Sequence, residues 1–542
     1  MATTYTRKNA WNNGGTFSNL DLLWYAKGVG KMMSRALNDS ASWWFFGAIH
    51  GEYVNPNTAW YPKPAAFPAW KFIKPGPAVP STPLPTKANQ DLYWNQCQHQ
   101  SWYFLPWHRG YLLALEAQLR KDIISLNGPA TWALPYWNYF GGTNGSQFQM
   151  PPAFAAKKLP DNTPNPLFVT MRYGPDGNGN IFLPTAAGVA AHPGDPNFSR
   201  GQVNANAMNN DLFTGSDQVT KPPGFGGPET GFAHGGGTSG NWENNPHNLV
   251  HVYAGYYGPV TAPFYGLMSD PGTAALDPIF YLHHANIDRM WALWNASGHP
   301  NPTKSTWLKG PTTRKFVMPG TNGQPWYYTP DQMKDLAPLK YTYQELNVPA
   351  PPAMAALPKR LALLGATGAT AEAAEPAMPK ETELLGASEK PLKIKGRVTA
   401  ASVKLDTKIR NKTRKSLAMA AASETTAPDN VYLKVENVRG TFDATVLSVY
   451  VNLPEGANPR ENPQYLAGNV ALFGLRMASI ADGQHAGEGL TFVLNVTPVI
   501  DALHLSHSLD VDALRVSVIP ADELPENADI TVGRVSLYRE GF

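Results

Sequence analysis

Between residues 18 and 50 the apolar positions Leu22, Leu23, Tyr25, Val29, Met32, Met33 and Leu37 recur with a period near 3.6, the spacing that stacks them on one side of a helix. Ser18 followed by Asp21 marks its start. A second helical pattern runs from about Pro106 through Leu126, with Leu112, Leu115, Leu119 and Ile123 inward, and two more lie around 246–254 and 275–297. Residues 55–90 are rich in proline and predict an extended surface loop. Residues 141–245 are crowded with glycine, proline and asparagine; a stretch that long with only short elements is more often a functional surface than a connection. The pattern then changes. Residues 344–390, rich in alanine, proline and glutamate, predict a linker. Beyond it the alternation is that of strands: V-Y-L-K-V-E-N-V, T-V-L-S-V-Y-V-N-L, N-V-A-L-F-G-L, L-T-F-V-L-N-V, L-R-V-S-V-I and I-T-V-G-R-V-S-L. Residues 391–542 therefore predict an all-β sandwich or barrel, interrupted at 411–428 by a polar, alanine-rich stretch expected to be a disordered loop. The chain is multidomain on this pattern, and its 542 residues exceed what one core organises.

Charge narrows the partners. The balance of 44 basic and 41 acidic side chains gives +3, with no basic stripe, which argues against nucleic acid. No apolar run approaches the ~20 residues that cross a bilayer, so no membrane span is expected. The first residues, M-A-T-T-Y-T-R-K-N-A-W, show neither a secretory apolar stretch nor a twin arginine, and a cytoplasmic location is the expectation. Cys97 is the sole cysteine, so no intramolecular disulfide forms.

The histidines carry the chemistry. One set comprises His50, then His99 and His108 in C-Q-H-Q-S-W-Y-F-L-P-W-H-R; the other comprises His247 and His251 in P-H-N-L-V-H, then His283 and His284 in D-P-I-F-Y-L-H-H-A-N-I-D-R. Three imidazoles per set, twice over, suit a pair of copper ions that bind dioxygen, because imidazole serves copper in both oxidation states and leaves positions open. Four helices with inward histidines form a mainly α four-helix-bundle dicopper domain, a common way to build a metal site. His247 and His251 stand four apart and share a helix face; the adjacent His283 and His284 cannot, so at most one joins them. His99 and His108, nine apart, imply a loop leading into a helix. His192, His234, His299, His485, His504 and His507 are expected to be solvated. Arg109, Asp277, Asp288 and Arg289 flank these histidines and are expected to be structural, with Asp288 in a buried ion pair.

With these motifs, residues 1–343 resemble the type 3 copper family of tyrosinases, catechol oxidases and molluscan haemocyanins. F-L-P-W-H-R-x-Y-L-L-x-x-E (Phe104 to Glu116) and D-P-I-F-Y-L-H-H-A-N-I-D-R-M-W (Asp277 to Trp291) are similar to its two copper signatures. The resemblance implies one copper on His50, His99 and His108 and a second on His247, His251 and His284, with His283 beside the site. Cys97-Gln98-His99 resembles the Cys-x-His whose sulfur is bonded to the ligand imidazole in fungal tyrosinases and haemocyanins. Glu243 and Asn248 match positions proposed to polarise a water as the base that a monophenol, with a pKa near 10, requires; the plainer alternative is that Glu243 caps a helix and Asn248 is solvated. Tyr341-Thr342-Tyr343 resembles the Tyr-x-Tyr closing the family's catalytic domain, with Arg7 packed near it. Residues 391–542 resemble the C-terminal domain of latent polyphenol oxidases, which covers the copper site and inserts a blocking side chain; this implies a partly latent chain cleaved within 344–390, near Lys359-Arg360. The resulting expectation is a dicopper domain over 1–343, a linker over 344–390 and a shielding β domain over 391–542. Small phenols of the tyrosine and catechol class would be substrates, with O2 as co-substrate: monophenols hydroxylated to o-diphenols and these oxidised to o-quinones, the first step of melanin biosynthesis. The rivals are a catechol or o-aminophenol oxidase lacking the hydroxylation, and an oxygen carrier of haemocyanin type. A homo-oligomer is compatible with all of these.

Overall fold

The computed structural model describes residues 4–55, 70, 73, 79–195, 202–215, 223–233, 237–258, 265–346, 381–395, 398–421, 428–481, 487–506, 512–524 and 528–541. The expected Lys359-Arg360 cleavage point and most of the proline-rich 55–90 stretch lie outside the described residues.

The helical half is built around Phe104–Ser125, which packs against Leu20–Met33 on one side and Ile279–Ala296 on another. Pro106 falls in its first turn, where the missing N–H costs nothing. The single helix expected over 18–50 is instead two, Leu20–Met33 and Trp43–His50. Asn19, not Ser18, caps the first by accepting from the Asp21 N–H at 3.0 Å, and Ser42 caps the second through the Phe45 N–H at 3.0 Å. The intervening Asn38, Asp39 and Ser40 favour turns over helix, and the Asp39 carboxylate accepts the Ala41 N–H at 2.8 Å. Residues 87–90 leave the expected loop to join the short helix Lys87–Tyr93. Arg172, from the long 141–195 excursion, pairs with Asp277 at 2.9 Å, and Asp277 accepts the Ile279 N–H at 3.0 Å to start Ile279–Ala296.

Tyr5–Arg7 pairs in parallel with Tyr341–Tyr343, so the two ends of the helical half are clasped together. Arg7, fully buried, reaches Tyr343 Oη at 2.7 Å, Glu116 at 2.7 Å and Asp288 at 3.2 Å, while Arg109 reaches Asp288 at 2.5 Å. Asp288 is thus the buried, paired carboxylate expected one turn beyond His284.

All six strands read from the alternation are present: Asn430–Arg439, Val446–Val451, Leu466–Ala471, Leu490–Asn495, Ala513–Pro520 and Thr531–Gly541. Glu381–Ser388 and Thr399–Leu405 complete the ladder, placing a strand inside the stretch expected as linker. The ladder runs from Leu466–Ala471 at one edge to Gly237–Thr238 at the other. Its two edge strands do not pair among the described residues, so it is a curled open sheet, and Gly468 near one edge packs on Leu494 near the other. Gly237–Thr238 belongs to the helical half, and its parallel pairing with Leu490–Thr491 stitches the halves together. Residues 411–421, expected as disordered, instead extend the helix Thr407–Ala421. Asp406 accepts the Ile409 N–H at 2.9 Å at its start, Thr413, Leu417 and Ala420 turn inward, and Arg410 pairs with Asp512 at 2.7 Å. No helix among the described residues is long and apolar enough to cross a membrane.

Candidate metal centre

The histidines come from several elements, and backbone carbonyls orient three of them. His50 ends the helix Trp43–His50, and the chain leaves it at Gly51, where a Cβ would stand 2.6 Å from the Pro271 carbonyl oxygen. That oxygen lies 2.9 Å from His50 Nδ1; a carbonyl only accepts, so Nδ1 carries the hydrogen and Nε2 keeps a lone pair. The Phe104 carbonyl does the same for His108 at 2.8 Å, as does the Met268 carbonyl for His251 at 2.8 Å. His247 Nδ1 donates to Asn248 Oδ1 at 2.8 Å. His99 sits on the loop before Phe104–Ser125, anchored by its N–H to the Ala233 carbonyl at 3.0 Å, with Nδ1 3.4 Å from Cys97 Sγ.

These rings converge. His247 Nε2 and His251 Nε2 lie 3.2 and 3.4 Å from His284 Nε2, and ring nitrogens of His247, His251, His283 and His284 all fall within 4.8 Å of one another. A second group joins His50, Cys97 and His99; His108 completes it with ring centroids 5.7 Å from His50 and 5.4 Å from His99. The groups abut, with His108 stacked on His284 at 4.4 Å. Burial lowers six of these imidazoles, His50 to about 4, His283 to about 3 and His108, His247, His251 and His284 well below the usual value. They are neutral at physiological pH and available as ligands. The Nε2 lone pairs of His247 and His251 both face His284 Nε2, which can donate to only one of them. The buried Nε2 atoms of His50 and His108 lack hydrogen-bond partners among the described residues. The donor set therefore fits a metal, and its all-imidazole character fits copper.

Phe280 packs between the sets, 4.8 Å from His50 and 4.2 Å from His284, and Phe104 lies 4.7 Å from both His108 and His247. Glu243 opens a wide, kinked turn, Glu243–Asn248, that precedes the helix Leu249–Gly255. Its carboxylate accepts the Gln100 N–H at 2.9 and 3.0 Å, tying the turn to the His99 loop. Burial raises Glu243 to about 8. Asn248 is buried and engaged with His247, unlike the solvated alternative.

The β half reaches the same cluster. Phe473 stacks on His251 with centroids 4.2 Å apart, and lies 5.8 and 5.9 Å from His99 and His247. Neither Phe473 nor the anchoring carbonyls of Phe104, Met268 and Pro271 were evident from sequence; for Phe473 the only local signal is its place before Gly474, whose φ of 82° turns the chain back. His192 and His299 lie away from the cluster, against Phe148 and on Trp294 respectively, so His299 is packed rather than simply solvated. His504 lies on the helix Thr497–Leu505, while His234, His485 and His507 fall outside the described residues.

Similarity to known proteins agrees with this geometry. Residues 40–297 match the common central domain of tyrosinase, and residues 381–540 match a domain of unknown function (DUF7868). Tyrosinase HcTyr1 of Hahella sp. (strain CCB-MM4) is 31% identical over 538 residues, 96% of this chain and 97% of its own. The chain belongs to the tyrosinase family. This tyrosinase-family chain is therefore a copper-dependent oxidoreductase, of a family that binds two copper ions through histidine clusters. The chloroplastic polyphenol oxidase of Vitis vinifera is 29% identical over 295 residues, which are 52% of this chain and 43% of that one. Latent apple tyrosinase shares the fold with a TM-score of 0.59 at 19% identity, covering 99% of this chain and 98% of its own.

Proposed function

We propose that the chain hydroxylates monophenols to o-diphenols and oxidises these to o-quinones with O2. One copper is held by His50, His99 and His108, the other by His247, His251 and His284. The observation that carries this reading is six buried imidazoles gathered in two abutting sets, with the buried Glu243 carboxyl tied to the His99 loop. When bound, the copper pair supplies the redox chemistry with dioxygen.

The protein's own groups do the rest. The carbonyls of Phe104, Met268 and Pro271 and the Asn248 amide hold the Nδ1 hydrogens and so aim the lone pairs of four rings. Glu243, which burial raises to about 8, receives the phenolic proton in its ionised form, directly or through a water, so that a phenol with a pKa near 10 enters as phenolate. Phe104 and Phe280 exclude water between the sets. The geometry also supports a Cys97–His99 thioether: the S–H and a ring C–H each lose hydrogen, and dioxygen takes the two electrons. Phe473 is the side chain by which a shielding domain, whose sheet begins at Glu381, keeps the catalytic domain over 1–343 latent in the intact chain. Cleavage of the linker between them releases it.

The test is copper content of the purified chain together with O2 uptake on tyrosine and on catechol. Two coppers and both uptakes are expected. Catechol uptake without tyrosine uptake would reduce the assignment to a catechol oxidase.

A further inference from the structure

Two of the ligand-aiming carbonyls belong to one short loop: Met268 holds His251 and Pro271 holds His50, one imidazole from each set. Asp270 stands between them, fully buried. Its Oδ1 accepts the Gly272 N–H at 2.7 Å, and its backbone carbonyl accepts from the Thr273 and Ala274 N–H groups at 3.1 and 2.8 Å. Its Oδ2 accepts at 2.9 Å from Arg476 Nη2, which comes from the β half. Arg476 also donates to Tyr53 Oη at 2.6 Å, three residues beyond His50, while its own N–H donates to Asp443 Oδ1 at 2.7 Å. The fit leaves little room: a Cβ on Gly272 would meet the Tyr53 ring at 2.4 Å, and one on Gly474 would sit 3.5 Å from Pro271. The loop that orients both sets is thus gripped between Tyr53 on one side and the tip 473–476 on the other.

We propose that Arg476 is a positioning residue for the metal centre. By holding Asp270 across the junction of the halves, it fixes the two carbonyls that aim His251 and His50, so docking of the β half tightens the hold on copper as well as covering it. Undocking leaves the Asp270 carboxylate without its guanidinium, and the loop regains freedom that both imidazoles share. This rests on the reading of the histidines as copper ligands given above.

The experiment is equilibrium competition for copper(I) between the full-length chain and bathocuproine disulfonate under reducing conditions. It compares the parent with Arg476→Gln, Arg476→Lys and Tyr265→Phe. Tyr265→Phe removes different inter-half contacts of the Tyr265 hydroxyl, to the Thr441 carbonyl at 2.9 Å and to the Asp443 backbone, and leaves the hydrogen bonds of Asp270 in place. Groups that orient metal ligands typically change affinity 10- to 100-fold; acting through a loop, Arg476→Gln should weaken copper binding about tenfold. The Gly272 amide should also exchange faster in that variant, and Tyr265→Phe should bind copper like the parent. Parent-like copper affinity in Arg476→Gln overturns the proposal, as does an equal loss in Tyr265→Phe. Should Arg476→Gln not fold, because it strands buried carboxylates, Arg476→Lys decides: a measurable weakening supports the proposal and parental affinity overturns it. A parent that fails to retain two coppers would strike the copper assignment itself.

Discussion

Replacing Phe473 with alanine is the sharpest test of how the two halves work together. The ring is almost fully buried and stacks on His251, while Phe442 from the same half packs on Tyr257 and Tyr265 at 5.2 and 5.3 Å. Moving one phenylalanine from such a contact into water costs about 1.5–3 kcal/mol. The two rings together therefore hold the uncovered form below roughly 1% of molecules, and a substrate that binds only that form sees its affinity cut by the same factor. Phe473→Ala deletes the ring over the imidazoles but leaves Phe442 docked. Catechol oxidation by the intact, uncut chain at low substrate should then rise between about 10- and 100-fold, towards the rate of chain cleaved between 347 and 380, ahead of the strand Glu381–Ser388. The assay is initial O2 uptake on matched copper-loaded samples, before and after limited proteolysis. An alanine variant no faster than its parent at equal copper content would refute the reasoning, as would a parent that cleavage leaves unchanged.

Glu243→Gln keeps the shape and the Gln100 contact but removes the base, so tyrosine hydroxylation should fall on the order of 100-fold while catechol oxidation falls far less; equal losses count against a proton-accepting role. Intact mass of denatured, copper-matured chain should be two hydrogens lighter than its sequence, with no titratable thiol, and recovery of the Cys97 thiol would exclude the thioether. Lys434 is 1% exposed on the strand Asn430–Arg439, its ammonium lacks a hydrogen-bond partner among the described residues, and burial pushes it down to about 8. A lysine depressed below its ordinary value makes the folded chain gain stability as pH rises from about 8 towards 10, because only the unfolded chain still holds the proton. Lys434→Met should therefore raise the melting temperature at pH 7, with the advantage shrinking above pH 8; a constant advantage across that range would contradict the assignment.

What could be read from the chain alone divides along physical lines. Phe104–Ser125 and the six strands were legible because burial on one face imposes a period that local sequence displays. Glu381–Ser388 was not: E-T-E-L-L-G-A-S has the composition of a linker, and it becomes a strand because Thr531–Gly541 and Thr399–Leu405 pair with it on both sides. Thr407–Ala421 was hidden in the same way, since its helical face is only Ile409, Thr413, Leu417 and Ala420 among cations. The histidines announced themselves by motif, whereas the carbonyls that aim them are backbone atoms with no signature. Phe473 contacts His251 across 222 positions of sequence, and no local pattern encodes a contact of that range.

The parallel ribbon joining Tyr5–Arg7 to Tyr341–Tyr343 bears on what proteolysis can do. It sutures the helical half to itself upstream of the tether, with the Arg7 guanidinium as the knot between Glu116, Asp288 and Tyr343. On the proposed latency, a protease that severs the tether would remove a cover and leave the seam untouched, so uncovering and integrity would be mechanically independent. Trimming the opposite terminus past Arg7 undoes the knot instead: Glu116 and Asp288 each lose one of two guanidinium partners, keeping only Arg120 and Arg109, so the same enzyme acting there would loosen the interior rather than uncover the site.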